Sequence, residues 1–309
     1  MKRDAEVEGT IFDFKRFATG DGPGIRGLIF LKGCPLECSW CANPESQDPE
    51  PEIMYHQEKC HGSKKCLEVC PHDAIVEDEE FGLTVDDNSC DLCGVCTDKC
   101  PYGALELVGE RVTVAEIMDR IRSDKSFYDN SRGGITLTGG EPLFQPNFSR
   151  ELLKRCRDYN ISTAVETSGY SSWEDLKSIT PYLNLVFYDF KHLDPEIHEK
   201  HTGASNELIK TNLKKLAGSF SGDLIIRIPL VPEYNSSKGL LENTFSFLGG
   251  IQEIERIEVM PYHRFGVSKY HGTGREYELP KVKPVKPEEI EFLTDIGRKY
   301  GLETRIDAK

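Results

Sequence analysis

The chain has 309 residues, 38% of them hydrophobic and 29% charged, with a formal net charge of −14. That length accommodates one large domain and a small one, or two medium ones, and the acid excess argues against nucleic acid as a partner. No apolar run approaches the about 20 residues a membrane helix needs, and MKRDAEVEGT lacks the apolar stretch of an export signal, so the cytoplasm is the expected location.

The first predicted element is a buried strand, RGLIFLKG at 26–33, which runs into a loop bearing Cys34, Cys38 and Cys41 at C-x3-C-x2-C spacing. Residues 52–107 follow, dense in cysteine and acid and punctuated by CLEVCPHDAI and CTDKCPYGAL. From 108 onward short apolar runs alternate with amphipathic helical patterns. Thr113 and Glu116 form a capping box ahead of IMDRI, and Asp194–Pro195 supplies an N-cap with proline at the first helical position. Strands are expected at 135–138, 163–166, 185–189, 224–229 and 257–260, with a further one at 302–306. Short apolar strands separated by helices imply a parallel sheet. Six such units are too few for a closed eight-stranded barrel. The expected fold is therefore α/β, a partial (β/α)6 TIM-like barrel built from residues 1–51 and 108–309, with 52–107 inserted after the first strand.

The loops after these strands carry the polar and glycine-rich clusters: the three cysteines, GGEP at 139–142, ETSG at 166–169, DFKH at 189–192, PLVPEYN at 229–235 and PYHRFG at 261–266. Sites of α/β folds form at the C-terminal ends of parallel strands, so these clusters are expected to meet.

Ten of the eleven cysteines fall between positions 34 and 100. Such crowding of an odd total in a cytosolic chain points to metal rather than disulfides. Thiolates favour iron and zinc, and three of them in the first loop leave one ligand position open. The run Cys90, Cys93, Cys96, Cys100 followed by proline is the bacterial ferredoxin pattern, in which the fourth cysteine ligates the other cluster. Cys60, Cys66 and Cys70 repeat it with Ser63 in place of the second cysteine. By that crossed logic Cys70, Cys90, Cys93 and Cys96 hold one cluster, and Cys60, Cys66 and Cys100 hold another. Its fourth ligand is left open between Ser63, water and nothing, and its form between four-iron and three-iron. His61 and His72 are read as solvated neighbours, and Cys156, on a helical stripe with Leu152 and Leu153, as core.

C-x3-C-x2-C after a first strand, followed by GGEP after the second, resembles the radical S-adenosylmethionine (SAM) superfamily. DGPGIR at 21–26 and Trp40 before the third cysteine, in a match running over about residues 8–270, resemble its glycyl radical enzyme activating enzymes. The resemblance implies that SAM caps the open iron of a 4Fe–4S cluster and is reductively cleaved. The resulting 5′-deoxyadenosyl radical then takes hydrogen from a backbone glycine of a partner enzyme. With the insert, three clusters are implied. The inserted domain is similar to that of activators for choline lyases, diol dehydratases, isethionate sulfite-lyases and arylacetate decarboxylases. A flavodoxin or ferredoxin is the implied reductant, and the insert is expected to relay electrons or dock the partner.

The same matching implies roles for single residues. Trp40, Ala42, Gly139, Gly140 and Glu141 would contact SAM, the glycines through a free backbone edge and Glu141 through the amine. Glu166, Thr167 and Asp189 would lie beside SAM and support a cation, although the family more often carries Asp where Glu166 stands. Lys191 suits a carboxylate and His263 the adenosyl part. Asp21 and Arg227 would face the incoming glycine loop. A radical SAM enzyme acting on a small molecule is the alternative, opposed by DGPGIR. A non-catalytic electron carrier is a third reading, opposed by GGEP and the three-cysteine loop.

Overall fold

The computed structural model describes residues 6–307. Thirteen strands are present among them: β1 (Glu8–Ala18), β2 (Arg26–Leu31), β3 (Glu52–Tyr55), β4 (Ile75–Asp78), β5 (Gly82–Val85), β6 (Leu105–Val108), β7 (Glu110–Thr113), β8 (Gly134–Gly139), β9 (Ser162–Thr167), β10 (Leu185–Asp189), β11 (Asp223–Leu230), β12 (Arg256–Pro261) and β13 (Thr304–Ile306). Nine of them form one sheet in the order β13-β12-β11-β10-β9-β8-β2-β1-β7. From β2 to β13 every pairing is parallel, and β1 joins β2 and β7 antiparallel. Six parallel strands plus β13 thus match the expected partial barrel. The two antiparallel strands were not expected. β1 exposes Glu8, Arg16 and Phe17 and buries only alternate residues, so it lacks the continuous apolar run that marked the others.

Alternation along the parallel strands sorts two interiors. Ile135, Leu137, Val165, Val186, Ile226 and Val259 face outward into a large core with Leu152 and Cys156 of the helix Pro146–Asp158, Leu213 and Leu216 of Glu207–Ala217, and Phe245 of Lys238–Gly249. Ala164, Leu185, Phe187 and Ile225 point the other way and form a small apolar cluster inside the curve of the sheet. Above that floor, toward the C-terminal strand ends, the inward positions become Glu166, Asp189, Arg227 and Glu258. The expected capping box at Thr113 is present, with reciprocal bonds to Glu116, and the Asp194 carboxylate caps Glu196 and Ile197.

Within 52–107, β3 pairs with β6 and β4 with β5, both antiparallel. This segment has its own small core of Ile53, Tyr55, Ile75, Ala104 and Leu105, among which Cys66 and Cys96 are buried.

One helix ties stability to the site. The carbonyls of His201 and Thr202, at the end of Pro195–Thr202, accept from the backbone N–H groups of Ser39 and Glu37 at 3.0 and 2.8 Å. His198 of that helix is buried, its Nδ1 lying 2.6 Å from the Ala204 carbonyl it donates to. Burial pushes its pKa down from 6.5 to about 4. The unfolded imidazole therefore takes up a proton before the folded one does. Stability is full above pH 6.5 and is lost as pH falls toward 4, by about 3 kcal/mol across the window. Urea midpoints measured at pH 7 and pH 5 check this; equal midpoints would contradict it.

Candidate active site

β2 delivers the three-cysteine loop. Gly33 N–H bonds the Ser46 carbonyl at 2.7 Å and Cys34 N–H bonds Gln47 at 3.1 Å, closing the loop on itself. Lys32, fully buried, donates to the Glu45 carbonyl at 2.8 Å and to Glu52 at 2.9 Å. Arg275 reaches Glu52 at 3.3 Å and the Pro44 carbonyl at 2.6 Å, and Lys269 reaches Asn43 at 2.8 Å and Glu45 at 2.5 Å. The loop is thus clamped from the first strand, the start of the insert and the C-terminal segment at once. Tyr270 donates to the Cys38 carbonyl at 3.2 Å. Gly266 of PYHRFG packs so closely that a Cβ there would meet the Cys41 carbonyl at 2.5 Å.

GGEP fits against this loop edge on. Gly140 N–H bonds Leu31 and Glu141 N–H bonds Gly33, both at 2.8 Å. A Cβ on Gly140 would stand 2.4 Å from the Gly33 carbonyl, so only glycine allows the approach. The Glu141 carboxylate accepts from Thr167 and Ser168 hydroxyls at 2.6 Å each, from Ser168 N–H at 2.8 Å and from Leu143 N–H at 3.1 Å. Its acceptors are engaged by the protein, which makes it a strut between the second and third strand ends.

These loops surround a cavity of about 250 Å³. Its wall includes Cys34, Cys38, Trp40, Cys41 and Ala42 from the first loop, Gly139, Gly140 and Glu141 from the second, and Glu166, Thr167, Asp189, Lys191, Arg227 and His263 from the later strand ends. Asp21 is not on that wall. It lies in the loop before β2, at the end of the strand opposite Cys34, where its carbonyl accepts from Thr136 Oγ1 at 2.9 Å.

Charge inside the cavity is paired across strands. Lys191 Nζ lies 2.6 Å from Asp189. Burial opposes its charge, but Asp189 and the nearby Cys38 outweigh that and raise its pKa. Arg227 donates to Glu166 at 2.5 Å and Glu258 at 3.1 Å and lies over the Phe187 ring, 3.7 Å from its centroid. Glu166 also accepts from Thr138 at 2.6 Å. Burial alone would raise the Glu166 pKa; Arg227 and Thr138 overcome it and hold the carboxylate ionised. His263 stacks on Phe265, centroids 4.3 Å apart, and burial lowers its pKa.

The three thiols share one environment. Burial raises all three, Cys41 to about 12, and mutual repulsion between Cys38 and its neighbours adds to the effect at Cys34 and Cys41. Such thiols stay protonated unless a cation replaces the protons, which is what iron does on binding. Among the described residues no three Cys, His, Asp or Glu side chains close around a single ion. Cys34, Cys38 and Cys41 would hold a soft-ligand cluster, which this donor set fits while leaving it one protein ligand short.

In the insert, Cys70, Cys90, Cys93 and Cys96 line one small cavity, and Cys60, Cys66 and Cys100 line another with Ser63. The crossed grouping read from the spacing is the grouping the fold brings together. The two halves repeat: Ala74 N–H donates to Cys70 Sγ and Ala104 N–H to Cys100 Sγ, both at 3.2 Å. His72 is on the wall of the four-cysteine cavity but pairs with Asp91 at 3.0 Å, and His61 packs against Tyr102 and is not on the wall of the three-cysteine one. Ser168, Glu258 and Thr138 were not singled out in the sequence. Ser168 was within reach, since it completes ETSG, and Glu258 is an acid inside an otherwise apolar strand.

Comparison with known proteins gives the family of the chain. The radical SAM superfamily model matches residues 88–240 and the 4Fe-4S dicluster domain model matches 59–104. The chain is 38% identical to the (2S)-3-sulfopropanediol dehydratase activating enzyme of Klebsiella oxytoca, over 97% of this chain and 98% of that one. It is 38% identical to the isethionate sulfite-lyase activating enzyme of Nitratidesulfovibrio vulgaris, over 90% and 92%. A radical SAM methyltransferase from Sphaerobacter thermophilus shares the fold, with a TM-score of 0.54 at 13% identity over 97% of this chain and 73% of that one. With a three-thiol loop, a glycine edge and a dicluster insert on these strand ends, the chain belongs to the glycyl radical enzyme activating enzymes of the radical SAM superfamily.

Proposed function

We propose that this chain installs a glycyl radical on a partner enzyme by reductive cleavage of SAM, and that the wall of the 250 Å³ cavity is where this happens. The observation that carries the reading is the shortage of one protein ligand: three thiols, Cys38 buried and Cys34 and Cys41 half-buried, line a cavity together with Gly139, Gly140 and the Lys191 ammonium. When bound, a 4Fe–4S cluster on Cys34, Cys38 and Cys41 supplies the electron that splits SAM into methionine and the 5′-deoxyadenosyl radical. The protein's own contribution is placement. Gly139 and Gly140 offer backbone to the amine of SAM, Lys191 an ammonium to its carboxylate, and His263 and Trp40 flank the nucleoside. Glu141 holds the glycine loop to the ETSG loop. Glu166 accepts from Arg227 and Thr138, Thr167 donates to Glu141 and accepts from Gly169 N–H, and Asp189 pairs with Lys191, so a cation held by these three would have to share them with those partners. Arg227, on the cavity wall, serves the incoming glycine loop; Asp21, off that wall, serves it only where the loop reaches down past the strand ends toward Thr136.

Residues 1–51 and 108–309 act as the radical-forming barrel, and 52–107 as an electron relay or docking module with two further clusters, three in all. A flavodoxin or ferredoxin is the reductant, and the setting is cytoplasmic. No helix among the described residues is long and apolar enough to cross a membrane. The partner class is a choline lyase, diol dehydratase, isethionate sulfite-lyase or arylacetate decarboxylase; the relatives named above serve a sulfopropanediol dehydratase and an isethionate sulfite-lyase. The test is anaerobic: reduced protein with SAM is expected to release 5′-deoxyadenosine and, with the right partner added, to give a glycine-centred EPR doublet. Deoxyadenosine without any glycyl doublet across those partner classes would favour a small-molecule substrate instead.

A further inference from the structure

The two halves of the insert are repeats that differ at one ligand position. The helices Lys65–Val69 and Val95–Lys99 each follow a residue in the left-handed region, Lys64 at φ 53° and Gly94 at φ 74°. Ser63 and Cys93 stand directly before those residues, both exposed. The cavity with four cysteines is nearly closed, at about 10 Å³, whereas the one with three encloses about 190 Å³. Around the second, the buried Tyr55 from β3 lines the inner side, and Lys64, paired with Glu77 at 2.7 Å, flanks the side that carries Ser63. The chain thus builds the inner three corners of this site as carefully as those of its twin and leaves the outer one to a hydroxyl. A serine oxygen binds iron only as alkoxide, a hard donor where iron–sulfur chemistry wants a soft one.

We propose that the corner at Ser63 is a labile ferrous-iron position: the centre on Cys60, Cys66 and Cys100 keeps three irons permanently and exchanges the fourth with solvent. This rests on the reading of the insert as a two-cluster module. Release is a balanced oxidation: [4Fe–4S]2+ gives up one electron to a one-electron oxidant such as ferricyanide and expels Fe2+, leaving [3Fe–4S]+. Ferrous iron and one electron from a reductant reverse it. Ser63 is exposed, so this corner faces water.

The experiment uses full-length, anaerobically loaded protein with Cys34, Cys38 and Cys41 replaced by alanine, so that only the insert carries clusters. Mild ferricyanide treatment is expected to give a three-iron EPR signal of about one spin per chain, with about one iron lost of eight. Ferrous iron plus dithionite is expected to erase it, and Ser63→Cys to prevent it. Should the triple variant not fold, the difference of one spin between wild type and Ser63→Cys carries the same information. Two clusters that both resist oxidation would overturn the proposal while leaving the two-cluster reading intact. So would resistance in wild type that Ser63→Ala abolishes, since the serine would then be a ligand. An insert that takes up no iron–sulfur at all would overturn both.

Discussion

Replacing Lys191 with methionine is expected to weaken SAM binding by roughly 30- to 150-fold, the equivalent of about 2–3 kcal/mol for one charge-assisted hydrogen bond in a buried site. Among the described residues Asp189 is the only hydrogen-bond partner of its Nζ, at 2.6 Å, so the ammonium has donors left for a ligand carboxylate. Methionine preserves the volume and removes the charge. The Asp189 carboxylate, left beside Glu166 without its cation, is pushed further toward its protonated form, because burial already raises its pKa and Lys191 is what counters that. Lys191→Arg keeps the charge and is expected to retain most of the affinity. Equilibrium dialysis of SAM against iron-loaded protein reads the effect directly. An unchanged dissociation constant for Lys191→Met would show that the ammonium serves the thiols and not the ligand.

What the sequence made legible follows from how local each signal is. The parallel strands were visible because a strand buried on both faces must be apolar throughout, as in LVFYD and DLIIRIPL. The site loops were visible because they follow those strands directly, and the cluster grouping because ferredoxin spacing is a short-range pattern. β1 was missed because its buried residues are few and its second half, beyond the Glu8–Ile11 pairing with β7, carries Asp13, Lys15 and Arg16. What spacing does not encode is which charges meet across strands. Glu166 and Arg227 belong to β9 and β11, separated by a whole strand, and only the inward turn of Phe187 beneath them lets the side chains join. The clamp of Lys32, Glu52 and Arg275 likewise joins residues 223 positions apart. Asp21 shows the converse: its motif was plain, but its place below the strand ends depends on Thr136, which no motif marks.

Arg227→Met is expected to cost about 3–5 kcal/mol of unfolding free energy at neutral pH, the range for removing one partner from a buried ion pair. Arg227 is 3% exposed and serves two half-buried carboxylates; without it Glu258 keeps Arg256 at 2.7 Å, whereas Glu166 keeps only the Thr138 hydroxyl as a hydrogen-bond partner among the described residues. The pH dependence gives a check that a simple packing defect would not. In the intact protein the depressed pKa of Glu166 contributes stability that is present above its ordinary value of 4.5 and is lost as pH falls through the folded value. Without Arg227, burial and Glu258 disfavour the ionised form, so the folded pKa rises and acidification stabilises the variant. The gap between the two proteins therefore narrows from pH 7 toward pH 5, and Glu166→Gln added to Arg227→Met is expected to restore much of the loss. Urea unfolding at both pH values measures it; a deficit below about 1 kcal/mol, as for an exposed pair, would mean that water already screens this site. One guanidinium nitrogen, Nη2, is buried with no hydrogen-bond partner among the described residues. Its unmet donors are the physical reason to expect a backbone carbonyl of the glycine loop there, so the milder Arg227→Lys, which keeps the charge but not the fork, is expected to spare SAM cleavage and reduce glycyl radical yield.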